Sequence, residues 1–78
     1  VRFTRRQATD LATSLDRAAD DKTAAAASGD ACAADPATNP WDRSVAREAA
    51  VILRGQARDM RADAAAIRDG VNPTELGY

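Results

Sequence analysis

Seventy-eight residues carrying 12 acids and 11 bases, a formal charge of −1, disfavour a general nucleic-acid or membrane-surface binder. Histidine is absent and cysteine occurs once, which removes the usual general base, the Ser-His and Cys-His nucleophile pairs and any Cys/His zinc site within one chain. The apolar share of 45% is mostly alanine, 20 residues, so the core is thin and self-association or a partner is expected to complete it.

The first element opens with a capping box. Thr4 is placed as N-cap with Gln7 three residues on, and Phe3 can staple onto Ala8. Ala8, Leu11, Leu15, Ala18, Lys22 and Ala25 then recur at steps of three and four, with Ala12 and Ala19 beside them. This narrow stripe predicts a helix over about 4–27, stopped by Gly29. Residues 28–39 read as the connection. Pro36 keeps Asp35 out of a helix, and there is room for a short helical turn around Asp30–Ala34. Asn39-Pro40 opens the second helix, with Asp42 in its acid-favouring first turn. That helix runs over about 40–69, roughly 45 Å, and ends at Gly70. The tail, 70–78, repeats the start signal as Asn72-Pro73-Thr74-Glu75 and predicts one last turn. The expectation is a single small helical domain over 1–78. Its fold class is all-α: an antiparallel two-helix hairpin of coiled-coil character, oligomeric or completed by a partner.

Arginines mark one side of the second helix. At 100° per residue Arg43, Arg47, Arg54, Arg58, Arg61 and Arg68 share one arc. Val45, Ala49, Ile52, Leu53, Met60, Ala64, Ile67 and Val71 fill the neighbouring, apolar one. Helix one supplies counter-charges: antiparallel pairing about the predicted loop sets Asp20 or Asp21 near Arg47, Asp16 near Arg54 and Asp10 near Arg58. Such exposed pairs are individually weak but fix orientation. The same alignment gathers Arg2, Arg5, Arg6, Arg61 and Arg68 at the open end, where planar guanidiniums suit carboxylates or phosphates.

Three further features bear on function. Gly55 shares a small-residue face with Val51, Ala62 and Ala66, the expected oligomer interface. Leu53, Met60, Ile67 and Val71 form an apolar strip which, with the open-end arginines, is the expected partner-binding surface. Trp41, beside the loop, is expected to plug the end of the core. Aspartates four apart, Asp16/Asp20 and Asp59/Asp63, read as solvated helix faces rather than a metal or catalytic pair.

No apolar run approaches the ~20 residues of a membrane span, and no hydrophobic stretch follows the basic N-terminus, so no secretory signal is expected. Cys32 reads as a free thiol in a reducing cytoplasm, and alanine, arginine and aspartate usage fits GC-rich bacterial or phage coding. The functional expectation is a non-enzymatic protein–protein interaction module, regulatory, inhibitory or for assembly. It would bind a protein partner or itself, with no cofactor, metal, membrane or small-molecule substrate. The alternative is a nucleic-acid-associated accessory factor that contacts phosphates through its clustered arginines.

Overall fold

The computed structural model describes residues 2–78, which form two long helices and a short terminal turn. Helix α1 spans Arg5–Ala34, helix α2 spans Pro40–Arg68, and a single 3-10 turn covers Pro73–Leu76. The two helices pack antiparallel into a rod of 50 × 17 × 16 Å. There is no strand among the described residues.

Each helix begins as its sequence dictates. Thr4 and Gln7 form the reciprocal capping box: the Thr4 N–H donates to Gln7 Oε1 at 2.9 Å and the Gln7 N–H to Thr4 Oγ1 at 3.1 Å. Asn39 caps α2 by accepting the Asp42 N–H at 2.8 Å while its amide donates to the Asp42 carboxylate at 2.6 Å. Gly70, at φ +107°, ends α2 in a Schellman arrangement. The Val71 N–H reaches back to the Ala66 carbonyl and the Gly70 N–H to that of Ile67. Asn72 and Glu75 repeat the capping box, and Gly77, at φ +92°, closes the last turn.

Helix α1 departs from expectation at its end. It runs through Gly29 to Ala34, about two turns past the predicted stop near residue 27. Ala31, Ala33 and Ala34 sustain it, and it ends only where Pro36 forces Asp35 into an extended conformation, φ −80° and ψ 114°. The connection is therefore five residues, 35–39, not the twelve of 28–39. Gly29 works as a contact instead of a cap. A Cβ there would sit 3.0 Å from the Ala46 carbonyl oxygen and 3.4 Å from the Ala50 Cβ.

That closeness extends along the seam. Ala12, Ala19, Ala26 and Ala33 are buried on α1, and Ala50, Ala57 and Ala64 on α2. Each set repeats every seven residues, the period that keeps one seam facing a partner helix as the two supercoil left-handedly. Larger side chains join only toward the open end, where Leu15, Ile67, Ala12 and Ala64 form the core cluster with Leu11, Met60 and Leu76 against it. Pro73, fully buried, fastens the tail to that end. The Tyr78 hydroxyl does the same from the surface, donating to Asp63 at 2.7 Å.

Candidate interaction surface

The alanine seam determines which side of α2 faces out. Trp41, Val45, Val51 and Ile52 lie on that side and are 76%, 48%, 67% and 60% exposed. This corrects two expectations. Trp41 does not plug the hairpin end, because a five-residue loop and an alanine seam leave no gap there for an indole. Nor do Val45 and Ile52 belong to the buried arc, whose boundary falls one helix face away, on Ala46, Ala50, Leu53 and Ala57. Isolated exposed apolar residues are ordinary, but four large ones within three turns of a single helix make a patch.

Arginines border the seam, as their periodicity requires, but the pairing is shifted. Arg54 binds Asp30, Arg61 binds Asp20 at 3.1 Å and Arg68 binds Asp16 at 2.5 Å. The longer α1 moves the pivot of the hairpin, so Arg54 meets Asp30 in place of the expected Asp16, and the expected pairs of Arg47 with Asp20 or Asp21 and of Arg58 with Asp10 do not form among the described residues. Arg61 also donates to the Thr23 hydroxyl at 3.1 Å. Arg43 Nε caps the C-terminal end of α1 through the Ala33 carbonyl at 3.0 Å. The hydrogen bond from Arg54 holds the Asp30 carboxyl below the ordinary carboxylate range, with the attraction of the two charges adding to it against partial desolvation.

The expected open-end cluster is thereby divided. Arg61 lies with Asp20, far along the rod from the exposed Arg5 and Arg6. Arg2, Arg5 and Arg68 do border one shallow cleft, floored by Phe3, Ile67 and Pro73, and Val71 lines its rim, half-buried. Of the expected apolar strip, Ile67 is buried and Met60 packs against the core, while Leu53 is half-buried on the seam side. The hairpin's own interior uses these residues. In the expected oligomer interface, Val51 and Ala62 are exposed, Ala66 is half-buried, and a Cβ on Gly55 would meet nothing within 4 Å.

Glu48 lies on the outer face and Arg58 at its edge, where it shares a groove with Thr23, Arg54, Ala57 and Arg61. Both are exposed, and neither makes an ion pair among the described residues. Their helical neighbours three and four positions away offer no opposite charge: serine, valine, valine and isoleucine about Glu48, and arginine, glycine, arginine and alanine about Arg58. The sequence pattern points to Arg58 only as a partner for Asp10, and gives no notice of Glu48 or of the outward turn of Trp41, Val45 and Ile52. The signal that finds them is the seven-residue alanine repeat, which fixes the seam and therefore the opposite face.

Compared with known proteins, the chain matches no protein-family model, no curated protein and no solved structure. No helix among the described residues is long and apolar enough to cross a membrane.

Proposed function

We propose that the protein is a small non-enzymatic interaction module that docks on protein through the outer face of α2. The exposed run of Trp41, Val45, Val51 and Ile52 carries this reading. Tryptophan anchors protein interfaces more often than almost any other residue, because one rigid ring buries a large area at little entropic cost. An antiparallel hairpin presents such a face on a straight scaffold. The nucleic-acid alternative is weaker, because Asp30, Asp20 and Asp16 engage Arg54, Arg61 and Arg68, cations it would use on phosphates.

A photo-crosslinking residue at Ile52, compared with one at exposed Thr13 on α1, tests the proposal in cells that make the protein. Protein adducts should form at Ile52 and not at Thr13. Equal labelling from both sites, or adducts to nucleic acid instead of protein, would defeat it. A salt titration of any complex gives a second check, since phosphate contacts weaken steeply with salt and an apolar interface does not.

A further inference from the structure

We infer that the occupant of this face is a second copy of the chain, with the two α2 helices antiparallel about a two-fold axis level with Leu53. The inference rests on the outer face of α2 being the interaction surface and adds its partner and register. Glu48, Val51, Gly55 and Arg58 advance in steps of three, four and three, the spacing of a second helix-packing seam on the side away from the first. Their chemistry is arranged symmetrically about Leu53. Glu48 lies as far before it as Arg58 lies after it. Val51 is matched in the same way by Gly55, and Trp41 by Ala65.

Turning a second α2 end for end therefore brings each member of a pair opposite its complement. The Glu48 carboxylate of one copy faces the Arg58 guanidinium of the other, twice by symmetry. Val51 projects over the open backbone at Gly55, where the structure leaves space for it. The exposed Trp41 indole lies over the small Ala65 side chain. The two Ile52 side chains approach each other beside the axis. Glu48 and Arg58, each without an ion pair in the single hairpin, are satisfied together, and Trp41 and Val51 each meet a small residue. A two-fold interface demands this self-complementarity, since one patch must serve as both surfaces. A foreign partner would need only half of it. The pairing runs from Trp41 to Ala65, about 36 Å of helix, along the whole rigid face.

Sedimentation equilibrium on the full chain across a wide concentration range, with circular dichroism on the same samples, tests the arrangement. The native chain should approach twice its 8.2 kDa mass. Glu48→Arg or Arg58→Glu alone sets like charges face to face and should raise the dimer dissociation constant about tenfold or more. The two changes together in one chain should restore it to within about threefold of the native value. Gly55→Leu fills the space over which Val51 sits and should abolish the dimer while helicity is kept. Helical single variants that dimerise like the native chain, or a double variant that fails to recover, would overturn the register. A native chain that stays monomeric while the Ile52 crosslinker traps a different protein would overturn self-pairing and leave the interaction reading intact. A monomer with no Ile52-specific adduct would remove both.

Discussion

The two halves of the hairpin bury different things. Toward the open end the seam holds Leu15, Met60 and Ile67 among its alanines, and the tail adds Pro73 and Leu76. Toward the loop it holds Ala26, Gly29 and Ala33 against Ala46 and Ala50, while the large apolar residues of that half, Trp41, Val45, Val51 and Ile52, face out. Alanine and glycine let two backbones approach closely but remove little apolar area from water. The open end is thus held by its core. The loop end is held by polar fittings, namely the Asn39 cap, Arg43 on the Ala33 carbonyl and the Arg54–Asp30 pair. A helix end so thin inside and so apolar outside fits a hairpin whose second layer comes from another chain.

Truncation should separate the halves most strongly. Ile67→Ala opens the buried core and should cost about 2–5 kcal/mol in chemical denaturation, enough to leave a domain this small largely unfolded. Ile52→Ala, the same loss of methylenes on the outer face, should change the dilute monomer by less than about 0.5 kcal/mol. Equal effects would mean that the core extends to the loop end after all.

Two glycines sharpen the contrast with opposite signs. Gly29→Leu drives a side chain against the Ala46 carbonyl, 3.0 Å from where its Cβ must sit. Overpacking should exceed the gain in helix propensity and leave a net loss of about 1–2 kcal/mol. Gly55→Ala meets nothing within 4 Å and should stabilise the dilute monomer by about 0.8–1 kcal/mol. Thermal melts of the two variants beside the native chain decide it, and a Gly29→Leu protein as stable as native would refute the close approach. Of comparable size to the second, Asn39→Ala should cost about 1 kcal/mol through the lost cap of α2.

What was legible in the sequence follows from how local each signal is. Thr4 with Gln7, Asn39-Pro40, Gly70 and Asn72 with Glu75 each act within one turn, so both helix starts, the end of α2 and the last turn could be read from adjacent residues. The end of α1 could not, because Gly29 carries two opposed signals. Alone it is a plausible stop, and only the Ala46 backbone across the seam gives it a reason to sit within a helix. A stop at Gly29 lengthens the loop and displaces the pivot, which puts Asp16 instead of Asp30 beside Arg54. The apolar arc failed for another reason. Val45 and Ile52 outweigh alanine on any hydrophobicity scale, yet seven-residue spacing and small size place Ala50, Ala57 and Ala64 inside. In a chain this rich in alanine, size at the contact decides the face more than hydrophobicity does.

The smallest effect divides the two ends by pH. Arg54 keeps the Asp30 carboxyl ionised below its ordinary value of 3.8, so the pair near the loop supports the fold above about pH 4 and is lost as pH falls further. At the open end, the hydrogen bond to Asp63, with some burial and the neighbouring negative charge, raises the Tyr78 hydroxyl above its ordinary 10.0. The neutral phenol donates that bond, so its contribution is complete below about pH 10 and disappears as the hydroxyl ionises at higher pH. Asp30→Asn should therefore flatten part of the acid limb of a stability–pH profile, and Tyr78→Phe part of the alkaline limb. Hydrogen exchange resolved by residue gives the sharper reading, because acid should loosen the amides around residues 28–36 before those near the tail, and alkali the reverse. If either substitution flattened both limbs alike, the hairpin would be responding as one unit, and the division between a polar loop end and an apolar open end would not extend to its dynamics.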